Sequence, residues 1–390
     1  MKKRIFALAL AAVMLVALVM TGCGKKEGSG SSDTINVGTV FNTTGYMAAY
    51  EEPAANGFKL AVDEINEAGG INGKKITYNT INGQSDPAQN ASATTKLIDV
   101  NNSVVVAGVC ESNLAITAGT AAQDAGVPFI TVGATLPDMP DRVGDGFYLA
   151  PYGDNTQAYA LAEYAYNDLG LRTAYVIEDS TSEYTLALSK YFKEKFKELG
   201  GEIVLEDSYD ENGYTDYSAS VSKVVALDEK PDLLFFSSFT DQAPIMLQQY
   251  RAQGLDMPVM SGDGFDSITI AEIAGADANN VYYSTHVNLD ESSDIVTNFK
   301  AAYKEKFGTE PENAFAALGY DTMYLIKYAI ENYVDGDVTS DSIKEALGKV
   351  TGFVGVTGSI SYENGSHVPS KSVSLNKFEN GEVVFIKNAE

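Results

Sequence analysis

Apolar positions along this chain follow two alternating rhythms. Short, nearly continuous apolar runs such as "INVGTV" (Ile35 to Val40), "VVVAG" (Val104 to Gly108) and "VPFITVG" (Val127 to Gly133) have the character of strands buried on both faces. Between them, apolar residues recur every three or four positions, as in Phe58, Leu60, Ala61, Val62 and Ile65, and this spacing predicts helices with one packed face. The first such helix is expected around Pro53 to Ala68, with Pro53 in its first turn and Gly69 and Gly70 closing it. Asp86 and Pro87 start another, which runs to about Val100.

After "FYLAPYGDN" (Phe147 to Asn155) the same order begins again. "RTAYVIED", a helix to Leu199, "EIVLEDSY", a helix through Val225, "PDLLFFSS", a helix to Gln253 and "MPVMSGDG" repeat the first half. Two further helices, near Asp294 to Phe307 and Glu312 to Val334, precede short strand-like segments at the end. Strands alternating with helices predict an α/β fold with two similar lobes, each built on a mainly parallel sheet. Ligands of open α/β sheets bind beyond the carboxyl ends of the strands, so a cleft between the lobes is the expected site. Crossings are expected near Pro151–Tyr152, Thr285–His286 and Gly358, giving lobes of residues 34–151 plus 286–358 and 152–285 plus 359–390.

The first residues change the picture of where the protein works. Lys2, Lys3 and Arg4 are followed by an apolar run from Ile5 to Met20 and then by "MTGC", ending in Cys23. This is the layout of a secretory signal, residues 1–23, and its end resembles the lipobox of bacterial lipoproteins, which implies a lipid on Cys23. Residues 24–33 then form a flexible tether, and the protein is expected outside the cytoplasm on the outer leaflet of the cell membrane. Cys110 is the only other cysteine, so packing rather than a disulfide must hold the fold. With 45% apolar residues there is enough to build both lobes. The net charge of −26 disfavours nucleic acid and anionic lipid surfaces as partners.

Catalysis finds little support. Ser112 sits on a strand-to-helix turn but lacks the flanking glycines of a nucleophile elbow, and His286 and His367 are the only histidines. Neither a transition-metal site nor a cofactor is expected. "DGDVTSDS" (Asp335 to Ser342) lacks the glycine and glutamate of a calcium loop and reads as a loop with a helix cap. The triplet Glu111, Ser112, Asn113 invites two readings: a simple N-cap by Ser or Asn, or an anion seat at a helix start.

Four runs, "NGFKLAVDEINEAGGINGKKITY", "QSDPAQNASATTKLI", "DAGVPFITVGAT" and "VMSGDGFDS", resemble the branched-chain amino-acid binding proteins that feed ABC transporters. The resemblance covers nearly the whole chain after residue 33. It implies a type I periplasmic binding fold, with two lobes joined by three hinge crossings and closing over one small ligand. It further implies that Ser112 binds the ligand carboxylate, that Thr135 lies near both head-group charges, and that the Gly133 carbonyl accepts from the ammonium. Asp263 would pair with that ammonium, and Tyr50, Tyr184 and Phe239 would surround the ligand. Phe239 replaces a frequent tyrosine, and Glu111 stands where small residues are common, next to the expected side-chain pocket. The implied partners are a small amino acid, with Leu, Ile or Val foremost, and the permease subunits of an ABC transporter, the protein itself acting as a monomer. Alternatives are a sensory module for a membrane receptor, or the same fold binding an amide, a urea-like compound or an aromatic acid.

Overall fold

The computed structural model describes residues 34–210 and 216–389. The expected signal, Cys23 and the tether lie outside the described residues. Strands β1 (Thr34–Phe41), β2 (Lys75–Asn82), β3 (Val105–Gly108), β4 (Phe129–Thr131) and β5 (Phe147–Leu149) form one sheet in the order β2-β1-β3-β4-β5. A second sheet holds β6 (Thr173–Asp179), β7 (Glu202–Tyr209), β8 (Leu233–Ser237), β9 (Val259–Ser261), β10 (Val281–Thr285), β13 (Val373–Glu379) and β14 (Glu382–Ala389). Its order β7-β6-β8-β9-β10 repeats that of the first sheet, and β13 and β14 extend it antiparallel beyond β10. A short antiparallel hairpin, β11 (Phe353–Gly355) with β12 (Gly358–Ile360), stands apart. The short central strands β3, β4, β8 and β9 are buried at every residue, which is why they appear in the sequence as unbroken apolar runs rather than alternating ones.

Four helices position the site. Helix α1 (Ala48–Glu67) follows β1, α2 (Ser112–Asp124) follows β3, α3 (Asp154–Glu163) follows the exit from β5, and α4 (Glu183–Glu198) follows β6. The helix α5 (Ala314–Tyr333) packs along α1, and α3 packs along α4. Helix α6 (Ser340–Leu347) starts at Thr339, which forms a capping box with Ser342, so "DGDVTSDS" is indeed loop and cap.

The start of α1 differs from expectation. The helix begins at Ala48 and Pro53 lies inside it rather than in its opening turn. An internal proline leaves the carbonyl four residues earlier, that of Ala49, without its helical donor. Asn313, which caps α5, donates its Nδ2–H to that carbonyl at 3.0 Å. One side chain therefore closes the gap made by Pro53 and fastens the two helices together. The same helix pair meets through two glycines. A Cβ on Gly57 would lie 1.8 Å from the Ala316 carbonyl oxygen, and one on Gly319 would lie 1.9 Å from that of Ala54.

Candidate functional site

Because both sheets share one strand order, their carboxyl ends present the same kind of loops. The loop after β1 leads to Met47 and Tyr50, that after β3 to Cys110 and Ser112, and that after β4 to Gly133 and Thr135. From the second sheet come Tyr184 after β6, Phe239 after β8 and Asp263 after β9. Tyr50, Gly133, Thr135, Tyr184, Phe239 and Asp263 line one narrow cavity. Met47, Cys110, Gly264 and Phe315 complete its walls. Its apolar part is an aromatic box: Phe239 meets the rings of Tyr184 and Tyr50 at 5.2 and 6.4 Å, and Phe315 meets Tyr50 at 5.2 Å. Gly133 has no room for a side chain, since a Cβ there would fall 2.7 Å from both Cys110 Sγ and the Phe315 ring.

Ser112 is the one expected residue that the structure does not place on this wall; it is buried as the first residue of α2. Nor is it the cap. Glu111, in extended conformation, is the N-cap and accepts from the Leu114 N–H at 2.8 Å. Its carboxyl group turns back to its own helix, and Glu111 is not on the cavity wall either. Asn113 reaches to the other lobe, donating to the Thr181 carbonyl at 3.1 Å and accepting from the Glu183 N–H at 2.9 Å. The polar triplet thus caps one helix and ties the starts of α2 and α4 together.

Tyr50 also bridges the cleft. Its hydroxyl donates to the Gly264 carbonyl at 2.7 Å and accepts from the Thr240 N–H at 2.8 Å. The Gly264 N–H in turn donates to the Tyr184 hydroxyl at 2.9 Å. Burial pushes the Tyr184 phenol well above its ordinary range, so it remains an O–H donor.

Asp263 belongs to a polar network that spans three parts of the chain. Its Oδ1 accepts from Gln157 Nε2 at 2.9 Å, and its Oδ2 lies 2.9 Å from His286 Nε2. Burial drives the His286 pKa down, so at neutral pH the contact is a hydrogen bond from a neutral ring rather than an ion pair. The ring stacks on Tyr152, with centroids 4.3 Å apart, at the expected hinge crossings. Asp154 accepts from Thr135 Oγ1 at 2.7 Å, and burial followed by the charge of Asp263 raises its carboxyl well above the usual range. Asp154, Gln157, Thr240 and His286 are the residues that sequence reasoning missed. Each carries an ordinary local context: the crossings bring Asp154, Gln157 and His286 to the cleft, and Thr240 reaches it at the exit of β8.

Two buried glutamates lie behind the site. Glu51 accepts from the Cys110 N–H at 2.7 Å, fixing the backbone of a wall residue. Burial pushes Glu51 and Glu111 from the ordinary 4.5 up to about 7. The folded protein therefore holds protons that the unfolded chain has already released. Their stabilising contribution is full below about pH 4.5, declines up to about pH 7 and is flat above, by on the order of 1–3 kcal/mol for each group. Unfolding by urea should show the protein more stable at pH 5 than at pH 7.5, and the double variant Glu51→Gln, Glu111→Gln should lose much of that difference. An equal slope in parent and variant would contradict this assignment.

The family model for periplasmic binding proteins matches residues 34–382. A Leu/Ile/Val-binding protein, BraC3 of Rhizobium johnstonii, is 26% identical over 359 residues, covering 90% of this chain and 93% of its own. Among solved structures, the branched-chain amino-acid transporter substrate-binding protein LivJ of Streptococcus pneumoniae, in complex with isoleucine, superposes with a TM-score of 0.82. It is 32% identical and covers 90% of this chain and 97% of its own. A solute-binding protein of an ABC transporter from R. palustris, in complex with benzoate, shares the fold with a TM-score of 0.78 at 20% identity, covering 91% of this chain and 96% of its own.

Proposed function

The chain belongs to the periplasmic binding protein family, and from that premise we propose that it captures an amino acid, foremost leucine, isoleucine or valine, and delivers it to the permease of an ABC transporter. The observation that carries this reading is that one cavity combines polar acceptors with apolar and aromatic walls: Asp263 and Thr135 line it together with Met47, Tyr50, Phe239 and Phe315. An ammonium needs acceptors, and an aliphatic side chain needs apolar surface, so both halves of a branched-chain amino acid find a match. The carboxylate would face the Tyr184 hydroxyl. Relatives described as Leu/Ile/Val-binding proteins and the isoleucine complex support the ligand class.

The lobes close on each other about the crossings near 151–152 and 285–286 and a third after His367; the crossing expected near 358 falls instead inside the β11–β12 hairpin, and the His367 carbonyl accepts from the Leu149 N–H of the first sheet. Cys23 carries the lipid that holds the protein at the outer face of the membrane. Metabolic labelling with a fatty-acid probe should mark the full-length protein and leave Cys23→Ala unmarked; equal labelling of both, or of neither, would contradict the anchor.

A second reading, an aromatic acid in place of the amino acid, is favoured by the aromatic walls and by the benzoate complex of a protein with the same fold. It would set a carboxylate without an ammonium beside Asp263. Thermal-shift measurements against the twenty amino acids, aromatic acids and amides separate the two. A ligand at a hundred times its Kd stabilises by about 2.7 kcal/mol, so the shift should be largest for leucine, isoleucine or valine. A shift confined to aromatic acids would replace the first reading by the second.

A further inference from the structure

Hydrogen-bond polarity can be traced through the buried network from one donor whose role is not in question. The backbone N–H of Asp263 points at Gln157 Oε1 at 3.0 Å, and Ser284 Oγ donates to the same oxygen at 2.6 Å. The Gln157 amide is therefore oriented with its oxygen accepting and its Nε2 donating. Both Nε2 hydrogens are committed, one to Asp263 Oδ1 at 2.9 Å and one to Asp154 Oδ1 at 2.9 Å. Asp154 Oδ1 accepts there, and the 2.7 Å contact with Thr135 Oγ1 runs from the Thr135 hydroxyl to the same oxygen. A threonine hydroxyl has only that one proton. Toward the cavity it lines, Thr135 can only accept.

We infer that Asp154, which is not on the cavity wall, is the positioning residue that makes Thr135 an ammonium acceptor and bars it from serving the ligand carboxylate. The second oxygen of Asp154, Oδ2, is buried and has no partner among the described residues. The short backbone bond from the Asp154 N–H to the Thr135 carbonyl, 2.7 Å, holds the two residues in register across the crossing from β5 to α3. Selectivity for an amine over the same acid lacking it is then set by a residue that never touches the ligand.

This inference rests on the amino-acid reading, and its test separates the two. Whichever of L-leucine, L-isoleucine and L-valine binds the parent protein tightest is titrated calorimetrically beside its own des-amino acid. The ratio of the two affinities is the readout. Asp154→Ala, which removes the oxygen that takes the Thr135 proton, should lower that ratio by at least tenfold, through weaker binding of the amino acid and little change for the des-amino acid. A merely structural role would weaken both ligands together, and that result, or an unchanged ratio, would overturn the inference. Should Asp154→Ala fail to fold, Thr135→Val and Thr135→Ser carry the same test. Valine should collapse the ratio and serine should keep it, whereas equal loss of both ligands in Thr135→Val would mean that Thr135 serves the carboxylate. A parent that binds none of the three amino acids overturns the functional reading itself, and the inference with it.

Discussion

Replacing Asp263 by alanine should weaken amino-acid binding by about thirty-fold to several thousand-fold. The side chain is buried on the cavity wall, so the ligand ammonium meets it in a largely desolvated space. Truncating one partner of such a pair leaves the other charge buried and unpaired, which costs roughly 2–5 kcal/mol. Each 1.4 kcal/mol or so is tenfold in affinity. The Gln157 amide and the His286 ring would also lose an acceptor, which adds to the disruption on the protein side. Calorimetry on parent and Asp263→Ala gives the comparison, with the melting temperature of each free protein recorded beside it. Unchanged affinity would remove Asp263 from the head-group site.

The largest expected effect on stability lies away from the ligand, at Gly319. A valine there would press its Cβ to within 1.9 Å of the Ala54 carbonyl oxygen, in the seam where Gly57 already meets the Ala316 carbonyl. Both obstacles are backbone atoms in long helices, so no side chain can swing aside and the helices must separate. Overpacking of this kind costs about 3 kcal/mol or more, a fall in melting temperature of roughly 4 °C or more for a protein of this size. Helix α1 carries Tyr50, whose hydroxyl bridges the cleft, so ligand affinity should fall as well. A melting temperature within a degree of the parent would show that this helix seam is looser than its geometry implies.

The two-lobed architecture was readable because its signals are local. Strands such as β3 and β8 are buried at every position and so form apolar runs, and the helices between them show one packed face. The strand exits inherited that legibility, and Tyr50, Gly133, Thr135, Tyr184, Phe239 and Asp263 come together where resemblance and strand order had put them. Pro53 was misplaced for a physical reason. Its fixed φ suits a first helical turn, and nothing nearby discloses that Asn313, 264 positions from Ala49, supplies the donor an internal proline removes. Glu111 seemed to intrude on the side-chain pocket because its type was visible and its backbone angles were not. The extended conformation of an N-cap turns its carboxyl group onto Leu114 instead. Gln157 stayed hidden because its partnership with Asp263 spans 106 residues.

A crystal structure of the protein grown with its tightest-binding amino acid tests the central claim most directly. The ligand should lie between the lobes with its ammonium nitrogen about 2.7–3.2 Å from Thr135 Oγ1 and from a carboxyl oxygen of Asp263, and with its aliphatic side chain against Phe239 and Phe315. A ligand bound elsewhere, or one seated in this cavity with its carboxylate facing Asp263, would contradict the account.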